Sequence, residues 1–330
     1  MEKLREKILL IMVLVLCQAC TNNIELYVNS DPTPVVYCLL NPLEDTQYVR
    51  VGRSFNLPSG ESDKAISPDS LSWSTEPEVY IEEWEDDDPV RLIIFKRSDI
   101  TRRDSGLFPV SGLDVYRAEF KPVPGKEYHL FVYFEGLDKI VSAETIVMSA
   151  PEVLDPYNVP GRTISFDTIS PYYLRWSGGD YPGLYQGLFK MNYSETINDN
   201  TVYESCYFKT PVYRKQSVSE IFEERVNGLN FLKSVADQLD DAPGIKREVI
   251  NFEFIFYSTG SDLSILVGGD LNEGNPFSII RNSSNIYGGS GVFSSMVIQK
   301  VTNLEASLTT KYFLATSQLT KDLGFIYEGQ

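Results

Sequence analysis

Histidine occurs once in this 330-residue chain, at position 129. That scarcity excludes a zinc centre built from two or three imidazoles. A catalytic triad would have to bring this one ring beside a serine and a carboxylate, and no nucleophile motif accompanies it. His129 lies mid-strand between Tyr128 and Leu130 and reads as a structural residue. Basic side chains are scarce too, 29 against 46 acidic ones, for a formal charge of -17. Phosphate backbones require a basic groove or stripe, and the chain offers only short pairs such as Arg102 and Arg103, so no nucleic-acid partner is expected. The same imbalance argues against electrostatic adhesion to anionic lipid.

Long apolar runs are missing except near the start, where "MEKLREK" precedes the uninterrupted apolar run Ile8 to Leu16 and "CQACTNN" follows. A spanning helix needs about 20 apolar residues; a charged stretch, a short apolar run and a small residue before the cut describe a signal peptide. Of the two cysteines here, Cys20 follows the small Ala19 and Cys17 follows the bulky Leu16. "CQAC" therefore resembles a bacterial lipobox, although Cys17 stands where leucine is usual and Gln18 where a small residue is usual. The resemblance implies cleavage after Ala19, giving a signal peptide over 1–19, with lipid on the Cys20 thiol and an acyl group on its new amine. Several acyl chains on one residue hold a protein on a bilayer stably. Thr21 rather than aspartate follows the cysteine, which by analogy with other lipoproteins favours the outer membrane. Residues 20–33 are the lipidated tether, spanning on the order of 45 Å if extended at about 3.3 Å per residue. Which face of that membrane the chain occupies is open.

Cysteine is nearly absent from the rest. With Cys17 removed and Cys20 acylated, Cys38 and Cys206 remain. They lie far apart and read as buried and unpaired rather than bridged.

What the chain has in quantity is aromatic residues, 20 Tyr and 18 Phe, which favour pleated surfaces. From Pro34 short apolar or alternating runs recur between turn residues: 35–40, 47–55, 78–84, 91–96, 114–120, 127–134 and 139–148. Seven such strands predict an immunoglobulin-like β-sandwich over 34–149. "APEVLDPYNVPG", Ala150 to Gly161, carries three prolines and reads as a linker. Strand patterns resume at 162–168, 172–177, 183–195 and 201–216, so 162–330 is read as a second β-rich domain. It also carries helix. Leu229, Phe231, Leu232, Val235, Ala236 and Leu239 recur at three- and four-residue spacing before Pro243 and Gly244. A second short helix is expected from Ser261 or Asp262 through "LSILVGG". Between them, "REVINFEFIFYST" predicts a strand with Ile250, Phe252, Phe254 and Phe256 on its buried face.

Glu82 to Pro89, "EEWEDDDP", is the densest acidic stretch and could gather oxygen ligands for calcium, but it lacks the EF-hand spacing and reads as a solvated hairpin that protects a sheet edge. Two carboxylates suited to glycoside hydrolysis could come from anywhere among the 46, and no spacing singles out a pair. Trp84, Tyr172, Tyr173 and Trp176 could stack on a sugar or a partner, with Trp176 in "YYLRWS" the better fit to a plug between sheets. "NPFSIIRNSSNIYGGSGVFSS", Asn275 to Ser295, has no lysine after its glycines and no G-x-S-x-G, so it is neither a phosphate loop nor a nucleophile elbow. It reads as a glycine-rich turn leading into a strand from Val292 to Thr302. No catalytic residue, metal ligand or cofactor is expected.

The lipobox, "PVVYCLLNP…QYVRVGRSF", "GLDVYRAEFKPVPGKEYHLFVYF", "YYLRWS…YQGLFKMNY", "NGLNFLKSVADQL", "NFEFIFYSTGSDLSILV" and the glycine-rich stretch, in that order, resemble a family of Bacteroidota outer-membrane lipoproteins known only as a domain of unknown function. Relatives tend to carry arginine after "FSS", where this chain has Met296. The family has no established catalytic residues, and its genes often lie near those of TonB-dependent transporters. The resemblance implies a non-enzymatic accessory or binding module at the outer membrane, anchored through Cys20, with a TonB-dependent transporter or a surface glycan or protein as partner. A fimbrial-like structural or adhesive role is the alternative, and an envelope hydrolase the third.

Overall fold

Alternation of inward and outward residues builds the first half. In β1 (Pro34–Leu40) Val36, Cys38 and Leu40 point inward, and in β2 (Thr46–Arg53) Val49 and Val51 do. The turn between them is held by Gln47, whose buried amide bonds to Asn41 N, Asn41 O and Glu44 O at 2.8–3.0 Å. The protein is seen in a computed structural model that describes residues 32–54, 72–98, 114–178, 183–215, 221–241, 244–260 and 284–327.

Five further strands complete this half: β3 (Glu78–Glu85), β4 (Asp88–Ser98), β5 (Asp114–Glu119), β6 (Glu127–Phe134) and β7 (Lys139–Ile146). They order as β1-β2-β5-β4-β3-β6-β7 and wrap a single apolar core, the expected β-sandwich of a mainly β chain. β3 and β4 meet through Asp86 and Asp87, with φ of 50° and 66°, a two-residue turn whose positive φ at both positions matches the twist of the strands.

The second half holds β8 (Val153–Asp155), β9 (Thr163–Ile164), β10 (Tyr172–Ser177), β11 (Gly183–Ile197), β12 (Asn200–Lys209), β13 (Tyr213–Lys215), β14 (Ile221–Val226), β15 (Lys246–Thr259) and β16 (Ser290–Ala306). The small sheet β14-β10-β8 and the long strands β12-β11-β15-β16 enclose an aromatic core. Trp176 is fully buried there, its ring 5.4–5.7 Å from those of Tyr185, Tyr213, Phe222 and Phe256, and so plugs the space between sheets. The segment 150–161 contains β8 and a cis Asp155–Pro156 bond, and Asp155 accepts hydrogen bonds from Arg162 and Tyr172.

Hydrogen bonding runs unbroken across both halves because of β16. Its start pairs in parallel with β1, Val35 opposite Ser290 through Leu40 opposite Ser295, and its later residues pair with β15. Phe293 packs into the first core, and Val301 and Leu304 into the second. Just before it, Ser142 of β7 and Tyr287 exchange backbone hydrogen bonds of 2.7 and 3.2 Å, which brings the far edge of the first sheet back to this strand. The glycine-rich stretch thus serves a junction. A side chain on Gly291, at φ 123°, would begin 1.9 Å from the Val36 carbonyl oxygen. Asn285 pins the turn by pairing its carboxamide with the Phe293 peptide at 2.6 and 2.9 Å.

One helix stands where the periodicity places it, α1 (Gly228–Ala236), capped by Asn227 and burying Phe231, Leu232 and Val235. The helix expected from Ser261 or Asp262 falls outside the described residues. A helix the pattern did not announce, α2 (Leu308–Thr316), is capped by Ser307 and buries only Thr310 and Leu314, too few apolar positions to leave a periodic trace. The strand over 247–259 also needs a correction. Phe252, Phe254 and Phe256 are buried as expected, but Ile250 is exposed and Val249 takes the inward place. A bulge causes this: Asn251 pairs with Asn192 and Val249 with Tyr193, leaving Ile250 as the extra residue that reverses the alternation. No helix among the described residues is long and apolar enough to cross a membrane.

Candidate functional site

The outward face of the first sheet concentrates chemistry. Because alternate residues face out, β3 presents Tyr80, Glu82 and Trp84, β6 presents Glu127, His129 and Phe131, and β7 presents Ser142, Glu144 and Ile146. Register turns these rows into a grid: Glu82 lies opposite His129, and His129 lies opposite Glu144. The only histidine of the chain therefore has a carboxylate on each neighbouring strand and another, Glu127, two residues before it.

Ring stacking organises the same face. Trp84 lies over the His129 imidazole with centroids 4.4 Å apart and planes within 12°, and Tyr80 stacks on Phe131 at 5.1 Å. The Trp84 indole N–H donates to Glu82 Oε2 at 3.1 Å, so Glu82 fixes the indole and the indole fixes the imidazole. His129 Nε2 is 2.6 Å from Glu127 Oε1. The ligand atoms of Glu127, His129 and Glu144 all fall within 4.8 Å of one another. Among the described residues neither glutamate lies within salt-bridge distance of a lysine or arginine.

Apolar side chains flank the cluster on both sides. Leu92 and Ile94 of β4 are 58% and 64% exposed, and Ile140 of β7 is 55% exposed. Beside β4 and β3 runs a groove of about 800 Å³, bordered by Glu78, Tyr80, Leu92, Ile94, Lys96 and Arg97. Ile94, Tyr80 and Phe131 thus stand in one row across β4, β3 and β6, and Leu92, Glu82, His129 and Glu144 in the row beside it. Beneath it, Glu83 is buried and accepts a hydrogen bond from Tyr128 at 3.0 Å, while the same phenol oxygen accepts from Val123 N at 2.9 Å. Burial above all, with a smaller upward push from the Glu83 carboxylate and a downward one from the Val123 N–H, holds the Tyr128 phenol up to about 12, so it stays protonated near neutrality and supports the sheet.

The residues singled out in the sequence distribute as follows. Cys20 lies outside the described residues. The acidic stretch from Glu82 does not converge on one point, because Glu82 holds Trp84, Glu83 turns inward to Tyr128, and Glu85 pairs with Lys126. Tyr172 is buried with its hydroxyl on Asp155, Trp176 is core, and Tyr173 and Trp84 remain on the surface. Cys38 and Cys206 are both buried and free, in different cores, and burial raises both thiols well above the usual range, Cys206 to about 12. His129 is a strand-face residue as expected, but the carboxylates around it were not anticipated. The spacing of Glu127 and His129 was visible in "EYH", whereas Glu144 joins them only through the β6–β7 register.

A family model described as a domain of unknown function (DUF4249) matches residues 21–302. No curated protein matches the chain. Similar solved structures include a DUF4785 family protein from Legionella pneumophila, at 7% identity and a TM-score of 0.19, with 68% of this chain and 52% of that one aligned. A chain from the complex of the first immunoglobulin domain of Dpr11 with DIP-gamma aligns at 10% identity and a TM-score of 0.19, covering 60% of this chain and 97% of that one. The four N-terminal immunoglobulin domains of Dscam1 align at 10% identity and a TM-score of 0.15, covering 79% and 55%.

Proposed function

The chain belongs to the DUF4249 family, a domain of unknown function, and from that premise we propose that it is a non-enzymatic binding module, lipid-anchored at the outer membrane through Cys20. Its partner is a TonB-dependent transporter or a surface glycan or protein, and it docks on the open face of the first sheet. The observation that carries this reading is the outward row of Ile94, Tyr80 and Phe131, in register on β4, β3 and β6, with the exposed Leu92 and the Trp84–His129 stack beside it. Apolar groups grouped in register on three neighbouring strands, rather than scattered singly, serve contact. The anchor is supported by the charged and apolar segments before Cys20 and by the small Ala19 preceding it.

Two experiments test the proposal. Cys20→Ala is expected to move the protein from the membrane pellet to the soluble fraction, and full retention in the pellet would sink the anchor. For docking, the detergent-solubilised protein is purified by affinity from native outer membranes and its co-purifying proteins and glycans are identified. Ile94→Asp combined with Leu92→Asp should abolish that co-purification while the far-UV spectrum and melting temperature stay near those of the parent, since both side chains already face water. A partner retained by this variant, or none with the parent protein, would count against the face.

A further inference from the structure

We propose that Glu127, His129 and Glu144 form a three-ligand site for a divalent first-row transition metal of the zinc class. The geometry is that of a metal site laid on a sheet: two donors at i and i+2 on β6 share a face, and the third stands directly across on β7, opposite His129. One imidazole and two carboxylates form a nitrogen and oxygen set that suits such an ion.

Charge supports the assignment. Two carboxylates converge on one imidazole, a third, Glu82, stands opposite on β3, and among the described residues no lysine or arginine balances Glu127 or Glu144. Like charges this close repel unless a cation sits between them, and a divalent ion supplies two charges at the point where the donors meet. The support around the ligands also fits. The stack of Trp84 on His129, itself held by Glu82, fixes the plane of the imidazole. In the structure Glu127 Oε1 and His129 Nε2 share a hydrogen bond at 2.6 Å. Two donors about 2.0–2.1 Å from one tetrahedral ion stand roughly 3.3–3.5 Å apart, so a metal would take the place of that hydrogen bond with the two atoms moving apart by less than about an ångström.

Three protein ligands leave a tetrahedral ion one open position, turned to the solvent side of the sheet, where water or a donor from a docked molecule completes it. The metal site does not depend on the docking reading, because it is tested on the purified protein with no partner present.

The test uses the mature chain without a polyhistidine tag, stripped with EDTA and titrated with zinc chloride by calorimetry, and in parallel by tryptophan fluorescence. The expected result is one saturable site per chain, weakened at least tenfold in each of His129→Ala, Glu144→Gln and Glu127→Gln. Trp84→Phe should lose most of the fluorescence change and keep calorimetric binding. The two glutamine variants preserve side-chain shape, so unchanged circular dichroism separates lost ligation from lost fold. Cobalt in place of zinc should give the strong visible bands of a four-coordinate ion in the parent and not in His129→Ala. Equal zinc affinity in the parent and His129→Ala would assign binding to the acidic surface at large and overturn the proposal, as would the absence of saturation below millimolar zinc.

Discussion

Replacing Phe166 with alanine lowers stability by about 4 kcal/mol, within the range of 3–5 observed when a fully buried phenylalanine is truncated. Phe166 is 0% exposed and lies in the loop between β9 and β10, yet it holds the centre of the second core. Its ring stacks on Phe231 of α1 at 4.4 Å and meets Phe189, Phe208, Phe252 and Tyr172 edge-on at 5.1–5.9 Å. The edge contacts and the stack add specific attraction beyond the area buried. Collapse cannot refill the space cheaply, because the neighbours are themselves rings fixed on five different elements. Its backbone is also engaged, since the Phe166 amide donates to the buried Thr310 hydroxyl of α2 at 2.7 Å, so displacement would disturb α2 as well. Urea denaturation followed by circular dichroism should show the midpoint fall with little change in slope. Phe166→Leu should recover at least half of the loss. A cost below about 1 kcal/mol for the alanine variant would mean that the core relaxes around the gap.

The same denaturation followed by fluorescence in variants that keep one tryptophan each reads the coupling between the halves, because the tryptophans lie in both. Trp73, whose indole donates to the Gly52 carbonyl at 2.8 Å, and Trp84 belong to the first half, and Trp176 to the second. With β16 contributing Phe293 to one core and Val301 and Leu304 to the other, the expected outcome is a common transition at all three sites.

Much of this architecture is legible locally. The strand "YYLRWS" occupies 172–177 as read, and β6 and β7 begin at the expected residues, because period-two alternation with one face buried is a property of the segment itself. What is not legible depends on partners far along the chain. Nothing in "PVVYCLL" announces that β1 pairs in parallel with residues about 250 positions later, and nothing in "INFEF" announces the bulge that turns Ile250 outward, because that bulge is defined by the pairing of β15 with β11. The candidate site divides in the same way. Glu127 and His129 can be seen to share a face from spacing alone, while Glu144, Glu82 and the stacked Trp84 arrive through cross-strand register. α2 escaped notice for a different reason: its sequence, "LTTKYFLAT", carries threonines and aromatics of modest helix propensity and is held by Ser307, Thr310 and the packing of Leu314.

Arg247→Met should be nearly as damaging as the loss of Phe166, at about 3–4 kcal/mol, because it breaks a buried ion pair and leaves several acceptors unmatched. Only 5% of the Arg247 side chain is exposed, and its Nε donates to Glu195 Oε2 at 2.9 Å. Nη1 also donates to the carbonyl oxygens of Leu323 at 2.7 Å and Asp240 at 3.2 Å. The backbone of the same residue takes part, its N–H bonding to Gly324 O at 2.8 Å and its carbonyl accepting from Ile326 N at 2.9 Å. One residue therefore ties β15 to β11, to the segment after α1 and to the C-terminal segment carrying Leu323 and Phe325, both of which pack into the second core. Glu195→Gln should cost less, about 2 kcal/mol, since the amide oxygen still accepts from the guanidinium and only the charge is lost. The double variant Arg247→Met with Glu195→Leu is the decisive member of the cycle. With no carboxylate left stranded, its loss should fall short of the sum of Arg247→Met and Glu195→Leu by 1 kcal/mol or more on the order-of-magnitude scale for neighbouring charges. Arg247→Lys should not restore stability, because one ammonium on a shorter, single-headed stem cannot serve a carboxylate and two carbonyls in the plane that the guanidinium spans. Strict additivity in denaturant midpoints across the cycle would show the pair to be uncoupled and would assign the Arg247 effect to its carbonyl contacts alone.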